Sequence, residues 1–134
     1  MFGPAVVVPT GRPHSLRMLE ATCHCGAVRL TVETAPDTVS ECNCSICRRL
    51  GARWAYYPTG DVGMPQPGKT QPYVWGERML AFHRCRACGV PTHWQSLDGA
   101  QPRMAINARL FDGLDWDGIK IRQFDGETSW AYKD

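Results

Sequence analysis

The chain has 134 residues, of which 43% are hydrophobic and 21% charged, with a formal net charge of +2. That length suits one domain, and that composition fits neither a disordered chain nor a coiled coil. The charge is too mild to draw nucleic acid or a membrane surface, and no run nears the roughly 18 apolar residues of a membrane span. The 13 Gly and 10 Pro cut the chain into short segments and argue against a helical bundle.

Residues 1–20 hold Pro4, Pro9, Gly11 and Pro13 without a clear period, so they read as an irregular arm with at most an edge strand at Ala5–Val8. Met1–Pro9 lacks a basic leader and makes a poor secretory signal. One domain is expected over residues 21–134. Gly26–Glu33 alternates apolar and polar residues as a half-buried strand does, and Thr38–Cys42 reads as a second strand. Cys44–Leu50 is the one helix candidate, with Asn43 or Ser45 to cap its start and Gly51 to stop it. Arg53–Tyr57 is an aromatic strand, and the breaker-rich Thr59–Thr70 is a loop. Further strands are expected at Pro72–Trp75, Arg78–Arg84, Val90–Gln95, Arg103–Asn107 and Ile119–Phe124, with a turn-rich stretch at Leu110–Trp116. Many short strands with one small helix make a mainly β, largely antiparallel fold.

The seven cysteines fall in three groups: Cys23 and Cys25; Cys42, Cys44 and Cys47; Cys85 and Cys88. An odd number leaves one unpaired in any disulfide scheme. The expected location is the cytoplasm, where thiols stay reduced and clustered thiolates serve as metal ligands. Zinc takes four soft ligands in a closed structural site and leaves one position open in a catalytic one. Cys85-x-x-Cys88-Gly89 resembles half of a zinc knuckle, and Cys23-x-Cys25-Gly26 can supply the other half. Cys42, Cys44 and Cys47 would then share a second ion. Spacing alone leaves other groupings open: a histidine (His24, His83 or His93) joining the three, a single zinc with spare thiols, or a redox pair at Cys44 and Cys47.

Cys23-x-Cys25-Gly26, Cys42-x-Cys44-x-x-Cys47-Arg48-Arg49 and Phe82-His83-Arg84-Cys85-x-x-Cys88-Gly89 together resemble the glutathione-dependent formaldehyde-activating enzyme family, which includes centromere protein V. The resemblance runs from about Ala21 to Phe124. It implies a zinc-stabilised antiparallel β-sandwich, the β-tent. It also implies a structural zinc on Cys23, Cys25, Cys85 and Cys88, and a labile zinc on Cys42, Cys44 and Cys47. The activity implied is that of a carbon–sulfur lyase interconverting S-hydroxymethylglutathione with glutathione and formaldehyde, so glutathione or another small thiol is the expected co-substrate. Centromere protein V has a long basic extension, and this chain shows none.

Three thiolates put net negative charge on the second site, so nearby cations are expected to matter. Arg48, Arg49 and Arg53 are the candidates to meet a substrate's carboxylates. Trp54, Tyr56 and Tyr57 are expected mostly in the core, as is Trp94, while His24 should point outward and the loop at Thr59–Thr70 could rim a cleft. Two other functions compete with the lyase: a non-catalytic zinc module for a protein partner, which predicts a closed fourth position, and a thiol redox or zinc-buffering role.

Overall fold

The computed structural model describes residues 18–133, so the arm through Arg17, including Ala5–Val8, lies outside the described residues. Ten strands and one helix follow one another: β1 (Leu19–Thr22), β2 (Arg29–Val32), β3 (Thr38–Cys42), α1 (Cys47–Leu50), β4 (Trp54–Pro58), β5 (Thr70–Val74), β6 (Leu80–Cys85), β7 (Pro91–Ser96), β8 (Arg103–Asn107), β9 (Lys120–Asp125) and β10 (Ala131–Tyr132). Among the described residues, no helix is long and apolar enough to cross a membrane.

The strands form two layers. β1 and β2 make a two-stranded hairpin, and the other eight make one sheet in the order β10-β9-β3-β4-β8-β7-β6-β5. Every pairing is antiparallel except β3 with β9, which run parallel from Thr38↔Lys120 to Cys42↔Phe124. The mainly β fold expected from the sequence is therefore present, with one parallel seam through the sheet.

Alternation along the strands gives the large sheet two unlike faces. One face buries Val39, Ala55, Met104 and Ile106 against Ala21, Val28, Leu30 and Val32 of the hairpin layer, with Phe111 closing the edge. The other face carries Trp54, Phe82, Trp94 and Ala105, covered by Cys47 and Ala52 from around α1. Trp54 and Trp94 are core residues as expected, whereas Tyr56 is 48% exposed and Tyr57 half-buried.

The segment expected to rim the cleft does something else. Thr59–Asp61 forms a 3-10 turn, and Gly63 then pairs with Thr31 of β2 through two backbone hydrogen bonds of 3.0 and 2.8 Å. A Cβ at Gly63 would run into the Thr31 hydroxyl. The loop is thus tied to the hairpin layer, and Val62 joins that layer's core.

Helix α1 is shorter than the expected Cys44–Leu50, and neither Asn43 nor Ser45 caps it: Ile46 stands at the N-cap with no side-chain bond. The reason is that Asn43 is engaged elsewhere, by the turn after β9. Gly51 ends the helix in the left-handed conformation, φ 68°.

His83 and His93 stack at 4.4 Å between ring centroids, with Thr70 and Thr92 hydroxyls each 2.8 Å from one Nδ1. Burial, then the neighbouring His83, pushes His93 down to about 3. The unfolded imidazole, near 6.5, therefore takes up its proton first as the pH falls, and the native state loses stability between about 6.5 and 3. His93→Gln should show a shallower loss of denaturant midpoint than the parent from pH 6.5 to 4; equal slopes would show that His93 does not set the acid limb.

Candidate metal centres

The three cysteine groups of the sequence become two in space. The sulfurs of Cys23, Cys25, Cys85 and Cys88 all lie within 4.8 Å of one another, and so do those of Cys42, Cys44 and Cys47. Among the described residues, no His, Asp or Glu joins either group as a further ligand.

The four-thiol group is built by two turns of nearly the same construction. In the β1–β2 turn, Cys23 N–H donates to Val28 O (3.1 Å) and Gly26 N–H to Cys23 O (3.1 Å). In the β6–β7 turn, Cys85 N–H donates to Val90 O (3.0 Å) and Gly89 N–H to Cys85 O (2.9 Å). Gly26 and Gly89 take φ values of 83° and 80°, a conformation that a side chain disfavours. Each turn aims its sulfurs at the same point. Cys25 Sγ lies 3.7 Å from Cys23 Sγ and 3.6 Å from Cys85 Sγ. Zinc–sulfur bonds of about 2.3 Å in a tetrahedron require sulfur separations of about 3.8 Å, so the donors fit that ion. Backbone N–H groups also point at the sulfurs: Val28 to Cys23 at 3.3 Å, and Ala87 and Cys88 to Cys85 at 3.3 and 3.4 Å.

The three-thiol group sits on the opposite face of the sheet. Cys42 ends β3, Cys44 lies in the following turn and Cys47 opens α1. The chain turns tightly enough for Cys44 N–H to reach Cys42 Sγ (3.5 Å) and Cys47 N–H to reach Cys44 Sγ (3.4 Å). The Cys47 thiol donates to Cys42 and, with the Cys44 and Gly126 N–H groups, holds Cys42 down to about 6; the same bond, together with burial, pushes Cys47 up. The indole Nε1 of Trp54 is buried with no conventional hydrogen-bond partner, and it favours the charged form of Cys47. A buried N–H left over beside a sulfur suits a metal-bound thiolate better than a neutral thiol.

The arginines are placed differently from one another. Arg53 is bound to Glu41 (Nε–Oε2 2.9 Å) and lies over the Trp116 ring at 4.8 Å. Glu41 alternates with Cys42 along β3, so this pair belongs to the far face of the sheet, and Arg53 does not serve the three thiols. Arg49 is exposed and donates to Ser45 O at 2.8 Å; Arg48 is exposed on α1, and His24 is exposed between its two cysteines.

Sequence reasoning passed over the hydroxyl groups beside Cys42. Ser40 Oγ and Tyr132 OH are 2.9 Å apart, and the Tyr56 phenol interacts with both and with Cys42. Half of Tyr56 is open to solvent, yet its hydroxyl end is turned inward, and burial first of all pushes it up to about 12. Only the alternation of Ser40 with Cys42 hinted at this arrangement.

A two-layered β-protein with one four-thiol and one three-thiol cluster is a cysteine-rich metal-site fold. A sequence model of the family described as glutathione-dependent formaldehyde-activating enzyme matches residues 18–122, a span that holds all seven cysteines. The chain belongs to that family. Its structure is similar to the crystal structure of a Rhodobacter sphaeroides protein, with a TM-score of 0.64 and 30% sequence identity over 77% of this chain and 99% of that one.

A closed cage contributes folding energy, whereas an open site contributes less. Cys85→Ser is expected to unfold the domain, as read by far-UV circular dichroism. Cys44→Ser should keep the fold and lower zinc, measured by plasma mass spectrometry, from two ions per chain to one, matching the two clusters. The reverse pattern would exchange the roles of the two groups.

Proposed function

We propose that the protein is a zinc-dependent carbon–sulfur lyase acting on the adduct of formaldehyde with a small thiol, of the S-hydroxymethylglutathione type. The observation that carries this reading is the incomplete donor set: three sulfurs, joined by no other protein ligand among the described residues. A module using the ion only to hold a partner or its own fold would be expected to close that position.

Cys23, Cys25, Cys85 and Cys88 would hold a structural zinc, and Cys42, Cys44 and Cys47 a second one. Zinc bound by three thiolates supplies a Lewis acid that lowers a substrate thiol's pKa and stabilises it as thiolate, the nucleophile toward an aldehyde and the leaving group in reverse. The chain's own groups do the rest. The Cys44 and Cys47 N–H groups point at the sulfurs of Cys42 and Cys44 (3.5 and 3.4 Å), where they would help to hold metal-bound thiolates. The hydroxyls of Ser40, Tyr56 and Tyr132 stand on the same face as Cys42 and can donate to the aldehyde-derived oxygen. Arg48 and Arg49, next to Cys47 and exposed, are assigned to the carboxylates of a substrate such as glutathione. Seven cysteines without a disulfide are compatible with a reducing compartment, and we assign the protein to the cytoplasm.

The test is formation of S-hydroxymethylglutathione from glutathione and formaldehyde, followed by exchange NMR. The zinc-loaded protein should accelerate exchange, and Cys44→Ser, still folded, should lose the acceleration. Glutathione should also slow removal of the second zinc by a chelator. Exchange at the uncatalysed rate, with no effect of glutathione on metal release, would overturn the reading.

A further inference from the structure

The charge of the three-thiol site poses a question that Arg48, Arg49 and Arg53 do not answer, while Arg122 of β9 lies over the Tyr132 ring (3.6 Å) on the Cys42 side of the sheet. With a substrate thiolate in place, four negative sulfurs would surround one divalent ion, a net charge of about −2. Arg53, the arginine best placed in sequence on the following strand, is paired to Glu41 on the far face. The leading interactions of Cys42 and Cys47 are with other cysteines, Trp54 and backbone N–H groups, and none is with a lysine or arginine.

The groups that do face the sulfurs are N–H dipoles. Cys44 N–H donates to Cys42 and Cys47 N–H to Cys44, the Gly126 backbone lies against Cys42, and the unpartnered Trp54 indole N–H lies near Cys47. Three of these four come from the segment that carries the thiols or from the strand just after it. Gly126 comes from the far end of the chain, in the turn between β9 and β10, beyond the residues that match the family.

That turn is fixed to the thiol segment with unusual completeness. Asn43, the residue between Cys42 and Cys44, donates its Nδ2 to Asp125 Oδ1 (3.0 Å) and accepts from Glu127 N–H at its Oδ1 (3.0 Å). Its backbone N–H donates to Phe124 O at 3.3 Å. Asp125 in turn accepts from Thr128 N–H, Ser129 N–H and the Ser129 hydroxyl at 3.2, 3.2 and 2.9 Å, which shapes the turn. Held this way, Gly126 is seated against the cluster with no room for a side chain: a Cβ there would lie 2.6 Å from Cys42 Sγ and 3.3 Å from the Cβ of Cys44. Its φ is not in the left-handed region, so glycine is required by the space and not by the backbone angle.

We propose that Gly126, docked by the Asn43–Asp125 hydrogen bond, is a positioning residue for the three-thiol metal site: its backbone, bare of a side chain, packs against Cys42 and Cys44 and holds the two in place. The inference rests on the metal reading of that site. An outer contact of this kind orients its ligand and spreads its charge, and its loss typically costs 10- to 100-fold in metal affinity. The C-terminal turn is in this respect part of the site, although it contributes no ligand.

The experiment titrates zinc-loaded protein with a chromophoric chelator, and records the sulfur-to-cobalt charge-transfer band after cobalt exchange, for the parent, Gly126→Ala and Asn43→Ala. Asn43→Ala removes the clamp without crowding the sulfurs, so it guards against a simple packing failure in Gly126→Ala. Both variants should release one metal about 10- to 100-fold more readily, with a weakened or shifted charge-transfer band. The second metal, in the four-thiol cage, should be held as in the parent. Parent-like affinity for both metals in both variants would overturn the inference alone. A parent that binds only one metal would overturn the metal reading of the three-thiol site and this inference with it. Loss of both metals in Asn43→Ala would show a general structural role and would also overturn the inference.

Discussion

Two turns, one before β2 and one after β6, bring sulfurs 60 residues apart in sequence to 3.6 Å. Elsewhere the hairpin layer packs apolar side chains against the large sheet. A cage of four thiols spans that contact, and a metal held there would give a small two-layer β-protein stability that its limited core does not supply. Each turn presents its sulfurs through the same device: a cysteine whose N–H reaches across the turn, and a glycine with positive φ that lets the backbone fold beneath the sulfurs.

With that contact closed, the large sheet separates two kinds of chemistry. On the hairpin side lie Val39, Met104, Ile106 and the closed cage; on the other lie the tryptophans, α1 and the open cluster. Alternation along single strands makes the division. Val39 and Glu41 look one way, Ser40 and Cys42 the other, so β3 contributes to a hydrophobic core and an ion pair on one side and to a thiol site with its hydroxyl groups on the other. The parallel seam between β3 and β9 brings the end of the chain alongside Cys42, where it completes the surroundings of the second cluster.

The two clusters differ in how they can treat a ligand. One offers four donors to an ion, while the other offers three, with neighbouring hydroxyls and an aromatic side chain half open to solvent. Were an ion held there, the backbone N–H groups aimed at Cys42 and Cys44 would lower the cost of burying its charge.

The cysteine pattern and the period-two alternation of its strands were legible in the chain, because both are local: a knuckle is a turn of a few residues, and a strand shows its buried face in its own sequence. Thr38–Cys42 and Arg103–Asn107 were read with the right ends for that reason. The helix was overextended, since its cap residue Asn43 is claimed by Asp125, 82 positions away. Arg53 was weighed as a ligand-binding cation because nothing local reveals Glu41 on the strand beside it. Nor could Gly126 be connected with Cys42. Whether a residue has room for a Cβ, and which face of a sheet a charge occupies, depends on strands that pair only after the chain has folded. The sequence by itself determined the donors and their turns; tertiary structure decided which sulfurs share a point, which face stays open, and what stands around it.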